Sequence, residues 1–166
     1  MKKRALIIGL LVAVFSISCA LVKKTPVKGE KVTVSNKEVR WYDFTTGYSL
    51  AKEQDKILLV DVYTDWCGWC KKMDRDTYTD SAVIHTASSD YICVKLNPEE
   101  DTTYTMEGQE YSALEIKNYL SNNRRDGYPS TYFLKTSNAK KVLTLSGYLG
   151  PKEFDKILRV TVPNRL

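Results

Sequence analysis

Histidine is nearly missing from this 166-residue chain, which has only His85, and cysteine is sparse at four residues. Four cysteines are too few for a small fold stapled by disulfides. A zinc site needs about four ligands. Outside the closely spaced pair Cys67 and Cys70, only Cys19, Cys93 and His85 remain to supply them. A strong excess of one charge is also lacking: 25 basic residues against 20 acidic give +5. Lys2, Lys3 and Arg4 carry three of those charges, so the remainder, 22 against 20, is +2. That balance resembles no nucleic-acid footprint, and the 11 tyrosines are spread without a base-stacking motif. No internal repeat or low-complexity tract is present. With 43% hydrophobic and 27% charged residues, the composition excludes disordered, collagen-like and multi-span membrane chains. The length suits about one domain that builds its own core.

At the N-terminus, Lys2-Lys3-Arg4 precede the uncharged run Ala5–Ser18. A basic flank with a short apolar stretch describes a secretory signal better than a membrane span of about 20 residues. The end of the run, Ser16-Ile17-Ser18-Cys19, resembles a bacterial lipobox, in which a small residue precedes a cysteine that is lipidated. The position three before the cysteine, usually Leu, is Ser16 here. The resemblance implies lipidation at Cys19 and membrane anchoring through lipid. An ordinary cleaved signal and a short uncleaved anchor are the other readings. Residues 20–38 carry Lys23, Lys24, Pro26, Lys28, Gly29 and Lys31 and read as a tether, with Val32–Val34 as a possible short strand. The domain proper is expected over 39–166.

Within it, Tyr48–Gln54 has a helical look. Ile57–Tyr63 is a nearly continuous apolar run of β-formers, hence a strand buried on both faces. A helix starts at Cys67, and Asp80 caps another through Val83 and Ile84. Tyr91–Leu96 reads as a strand. Ala113, Ile116 and Leu120 share one face of a helix over Tyr111–Asn122. Thr131–Leu134 and Val142–Leu145 flank a polar turn as a hairpin. Gly150-Pro151 opens a last helix whose stripe is Phe154, Ile157 and Leu158. Strands alternating with helices predict parallel pairing through crossovers, and the final close pair predicts an antiparallel hairpin. The fold class is therefore α/β.

Cys67-Gly68-Trp69-Cys70 follows a predicted strand and opens a predicted helix. Two cysteines three apart on a first helical turn share a face. The first sits where free backbone N–H groups and the positive end of the helix dipole converge, and both favour its thiolate. This predicts Cys67 as a nucleophile on a substrate disulfide and Cys70 as the group that resolves the mixed disulfide. Half a zinc site and a purely structural bridge are the competing readings. Lys71, not His, follows the second cysteine, which excludes c-type haem.

The segment Leu59–Lys71 resembles the active-site segment of the thioredoxin superfamily, in its strand, Trp66 before the first cysteine, Gly68 after it and Lys71 after the second. Trp69 stands where classical thioredoxins carry Pro. That form is closer to exported thioredoxin-like proteins and to the C-terminal domain of the thiol reductase DsbD. The resemblance covers about Trp41–Val162 and implies a thioredoxin fold, a mixed central sheet with helices on both faces. It implies that Asp61 is a buried carboxylate that exchanges a proton with Cys70, and that Lys95 pairs with it. A solvent-facing strand-end Asp and a solvated edge Lys are the plainer readings. It also implies that Pro129 is cis, that the Tyr128 backbone binds an extended substrate segment, and that Gly147 leaves room near the site. Trp66 and Trp69 read as an apolar rim. The segment Pro98–Asp126 is longer than in the minimal family and acidic, and reads as a solvated insertion with one helix that bears on substrate choice only as a secondary possibility. His85, with no evident partner, reads as a residue of the surface or of the layer behind the site, and Cys93 as a small hydrophobe.

These expectations converge on a thiol–disulfide oxidoreductase outside the cytoplasm, reductase more than oxidase, acting on protein thiols and disulfides. It would need no metal or organic cofactor, and would draw electrons from a membrane-embedded thiol protein. The rival is a non-catalytic adaptor whose Cys67–Cys70 bridge is structural.

Overall fold

A computed structural model describes residues 38–162. The signal expected over 1–19 with Cys19, the tether up to residue 37 and the possible strand at Val32–Val34 lie outside the described residues. Among the described residues, no helix is long and apolar enough to cross a membrane.

The elements follow as β1 (Trp41–Tyr42), α1 (Phe44–Glu53), β2 (Ile57–Val62), α2 (Gly68–Asp76), α3 (Ser81–Asp90) and β3 (Tyr91–Leu96). Then come β4 (Thr103–Met106), β5 (Gln109–Ser112), α4 (Ala113–Ser121), β6 (Ser130–Lys135), β7 (Lys140–Ser146) and α5 (Pro151–Thr161). The main sheet runs β1-β3-β2-β6-β7. β1, β3 and β2 are parallel, while β6 and β7 run antiparallel to their neighbours. This is the mixed sheet flanked by helices that the resemblance implies.

Strand parity divides the core. Leu58, Val60 and Val62 of β2 join Val94 and Leu96 of β3 against α1 and α4, with Phe44, Ile116 and Leu120 among the fully buried side chains. Ile57 and Leu59, with Tyr91 and Cys93, face the opposite way, onto Met73 of α2, Val83 of α3, and Phe154 and Leu158 of α5. By the same two-residue period, Asp61 and Lys95 belong to this second face, under the helix that carries the cysteines.

Local chemistry starts the helices where the chain needs them. The Asp43 carboxylate accepts from Thr46 N at 2.9 Å to cap α1, and Asp80 accepts from Ala82 N and Val83 N at the start of α3. Ser112 and Glu115 form a reciprocal capping box on α4, and Pro151 opens α5.

The structure corrects the reading of Pro98–Asp126. It is not merely a solvated stretch with one helix, because β4 and β5 form a hairpin. The turn residues Glu107 and Gly108 both have positive φ (51° and 77°), as a two-residue hairpin turn requires. Tyr104 and Met106 are buried in the α1/α4 core. Lys52 and Tyr48 of α1 hold Glu107 at 2.7 and 2.8 Å, and Thr45 Oγ1 accepts from Thr105 N at 2.8 Å. The helix expected from Tyr111 begins at Ala113, because Tyr111 and Ser112 complete β5.

Candidate active site

Cys67 is the N-cap of α2. Its Sγ accepts from Cys70 N at 3.1 Å, while its own N–H donates to Thr64 O at 3.1 Å. The sulfur thus stands where the first turn leaves backbone donors unpaired. Cys67 and Cys70 are joined as a disulfide with Cα atoms 5.3 Å apart. Each cysteine is largely covered, at 5% and 3% exposure, but Trp66 and Trp69 beside them are 67% and 59% exposed. Gly68 faces open space, since a Cβ there would meet no atom within 4 Å.

The aromatic rim is held in place. Trp66 Nε1 donates to both carboxylate oxygens of Glu99, at 3.0 and 3.1 Å, and its ring stands edge-on to Tyr128 at 5.7 Å. Trp69 lies 5.6 Å from Tyr148, whose ring carries Lys72 Nζ at 4.9 Å on its face. Lys72 is also ion-paired with Asp76.

The Tyr128–Pro129 bond is cis. Pro129 O accepts from Gly147 N at 2.8 Å, which buckles this loop to the end of β7. Gly147 has φ 87°, and a Cβ there would meet nothing within 4 Å. Its need for glycine is therefore conformational, not the making of room.

Beneath α2, Asp61 is 1% exposed. Register pairs it with Lys95 on β3 and Thr131 on β6. Lys95 Nζ reaches Asp61 Oδ2 at 3.1 Å and is also ion-paired with Asp74 of α2. Three rings surround that ammonium: Tyr63 at 4.9 Å, Trp41 at 5.0 Å and Tyr78 at 5.5 Å. Burial pushes the Asp61 carboxyl above its ordinary value, and Lys95 only partly offsets this. For Lys95 burial opposes the charge, but Asp61 and Asp74 outweigh it and hold the amine above its usual value. Burial, followed by the charge of Asp61, pushes the Cys93 thiol up to about 12, so Cys93 stays a neutral core group. His85 is exposed.

The arrangement therefore brings Asp61 to Lys95, Trp66 to Tyr128, and Cys67 to Cys70, while Cys19 lies outside the described residues. Sequence reasoning passed over Asp74, Tyr78, Trp41 and Tyr148, and it read the segment that holds Glu99 only as an acidic insertion. Asp74 carried a signal: it falls seven residues after Cys67 and four after Cys70, on the same helical face. The others carried none, because their partners are distant in sequence.

A family model, Thioredox_DsbH, whose description reads "Protein of unknown function, DUF255", matches residues 31–161. The thiol:disulfide interchange protein DsbD of Pseudoalteromonas atlantica is 29% identical over 72 residues, which are 43% of this chain and 12% of that protein. Among solved structures, a DsbH oxidoreductase superposes with a TM-score of 0.61 at 16% identity, covering 82% of this chain and 93% of the other. A thioredoxin from Thermus thermophilus superposes with a TM-score of 0.58 at 23% identity, covering 74% and 86%. The two structural likenesses establish a thioredoxin fold.

Proposed function

The chain belongs to the Thioredox_DsbH family, a thioredoxin-superfamily, DsbD-like group, and from that premise we propose that it is a thiol–disulfide oxidoreductase acting on protein disulfides. The observation that carries this reading is the bridged Cys67–Cys70 pair at the start of α2, on the sheet face that also holds the buried Asp61.

In the reducing direction, which we favour, the Cys67 thiolate attacks one sulfur of a substrate disulfide. A Cys67–substrate bond forms, the substrate S–S bond breaks, and the first substrate sulfur leaves as a thiolate that takes a proton from water. Asp61 in its carboxylate form accepts the Cys70 proton. The Cys70 sulfur then attacks Cys67 Sγ, closing the internal bridge and expelling the second substrate thiolate. Two electrons pass from the dithiol to the substrate, and the reverse order oxidises a substrate dithiol. Lys95 tunes Asp61 by its 3.1 Å ion pair. Trp66, Gly68, Trp69 and the Tyr128–Pro129 backbone present the contact surface, with the Tyr128 backbone binding an extended substrate segment.

The likeness to DsbD supports a working place on the periplasmic side, and the electron donor of this reading is a membrane thiol protein. Cys19, if processed as a lipobox cysteine, tethers the domain to the membrane over residues 20–38.

A Cys70→Ser variant of the full chain tests the reading. Incubated with a protein disulfide and run without reductant, it accumulates a mixed disulfide that Cys67→Ser abolishes. Absence of that adduct would indicate an adaptor with a structural bridge. The couple's equilibrium potential against glutathione decides direction, with values near about −270 mV marking a reductant and near about −120 mV an oxidant.

A further inference from the structure

Among the described residues, three buried polar atoms near the cysteine-bearing helix lack a hydrogen-bond partner: Thr64 Oγ1 in the turn before it, Asp61 Oδ1 and the Tyr78 hydroxyl. The last two concern the same ion pair. They are neighbours. Asp61 Oδ2 is bound to Lys95 Nζ, and the Tyr78 ring faces that same ammonium at 5.5 Å. The phenol and the carboxyl lie close enough to act on each other both through charge and through their polar hydrogen, yet neither Asp61 Oδ1 nor the Tyr78 hydroxyl completes a hydrogen bond of full geometry. A buried hydroxyl left unpaired costs the full desolvation of that group, so such an orphan next to an orphan acceptor calls for a state in which the two meet.

Tyr78 is held for this. It sits in the turn after α2, where its N–H donates to Met73 O at 3.1 Å. Its ring stands edge-on to Trp41 at 4.8 Å and to Phe154 at 5.5 Å, so β1 and α5 grip it from two sides. Little ring movement is available, but the O–H rotor is free to turn.

We propose that Tyr78 is a positioning residue for proton exchange: its hydroxyl donates to Asp61 Oδ1 when Asp61 is ionised, and releases it when Asp61 is protonated. Lys95 then holds one carboxylate oxygen and Tyr78 the other, so the carboxylate that takes the Cys70 proton is stabilised from both sides. No S–S bond forms or breaks in this step: the Cys70 S–H bond breaks, an O–H bond forms on Asp61, and no electrons are transferred. The inference rests on the proposed role of Asp61. The titratable groups around the pair are Lys95 and Cys93 of β3, Asp74 of α2 and Tyr63 after β2. Thr131 of β6 is the remaining polar neighbour of the phenol.

The test is Tyr78→Phe in the full chain. The change keeps the ring, its contacts with Trp41 and Phe154, and its face toward Lys95, and removes only the hydroxyl. Asp61 is titrated directly by carboxyl ¹³C NMR, and the rate of protein-disulfide reduction is followed against pH. A hydrogen bond to a charged group predicts that the Asp61 midpoint rises by about one pH unit in Tyr78→Phe, with the kinetic limb moving by the same amount. A midpoint unchanged from the wild type would overturn the proposal, because a packing role alone leaves that titration in place. Asp61→Asn separates the two claims. If it leaves the kinetic limb intact, Asp61 is not the proton acceptor, yet the NMR midpoint still decides whether Tyr78 donates to it.

Discussion

Gly47, at mid-length in α1, looks like a defect, since glycine in a helix interior costs up to about 1 kcal/mol relative to alanine. The packing reverses that expectation. A Cβ at position 47 would lie 2.2 Å from Val94 Cγ2, with Leu58 Cδ1 at 3.5 Å and Tyr42 Cβ at 3.6 Å. Carbon atoms sit comfortably about 3.5–4.0 Å apart, so α1 and β3 must separate by more than about 1 Å. Neither side yields cheaply. Val94 is fully buried, its strand is paired on both edges by β1 and β2, and its β-branched side chain is stiff at χ1. Overpacking of this kind costs about 1–3 kcal/mol, and the upper half of that range applies here. Subtracting the helix-propensity gain leaves Gly47→Ala destabilised by about 1–2 kcal/mol. Urea unfolding followed by far-UV circular dichroism reads this as a lower midpoint at constant slope. Val94→Ala alone opens a cavity and destabilises on its own account. In the double variant the new methyl refills that space, so the two losses fall short of additive by about 1 kcal/mol or more. A Gly47→Ala protein as stable as the parent, or strictly additive losses, would refute the packing argument.

Two further outcomes follow from the site. Asp61→Asn raises stability at neutral pH. Because burial lifts the folded-state carboxyl above its unfolded value, the fold binds the proton more tightly than the unfolded chain. Stability is thus lost as pH rises from the unfolded value, near 3.8, through the folded one, and the variant escapes that loss. Denaturant melts at several pH values should show the advantage of Asn vanish on acidification, and an advantage that persists there would contradict the sign. Glu99→Gln weakens the clamp on Trp66 while leaving the cysteines untouched. Loss of one charge-assisted hydrogen bond, worth about 0.5–1.5 kcal/mol at such a site, predicts a drop of roughly 2–10-fold in kcat/KM for a protein disulfide and none for a small aromatic disulfide. Equal loss on both substrates would assign Glu99 to the chemistry instead of the contact surface.

What could be read in advance depended on how local its cause was. The apolar run at Ile57–Val62 and the spacing of Cys67 and Cys70 announce a buried strand and a helix mouth, because both signals lie within a few residues. The stripe Ala113, Ile116 and Leu120 locates α4 for the same reason. β1 was invisible because two residues, Trp41 and Tyr42, carry no periodicity, and their strand character comes entirely from pairing with Cys93 and Val94. The β4–β5 hairpin was missed because its turn is Glu107-Gly108, without the Asn or Asp that usually marks such a turn, and because its exposed positions are polar. Around the cysteines, the Asp61–Lys95 pair was accessible through resemblance alone. Tyr78 reads in sequence as any aromatic of an apolar core, and only its position over Lys95 distinguishes it.

Glu99 and the hairpin that follows it belong to one stretch of chain fastened at both ends, to Trp66 near the disulfide and through Glu107 to α1 farther away. Such a double mooring separates two duties. The electron-carrying centre rests on β2, β3 and α2, whereas the frame that greets a visitor is tuned from a stretch that gives only Tyr104 and Met106 to the buried core beneath it. Substitutions at the stretch's exposed positions, residues 99–103, 105 and 107–110, therefore offer an engineer a way to retarget the protein while its redox character stays where it was.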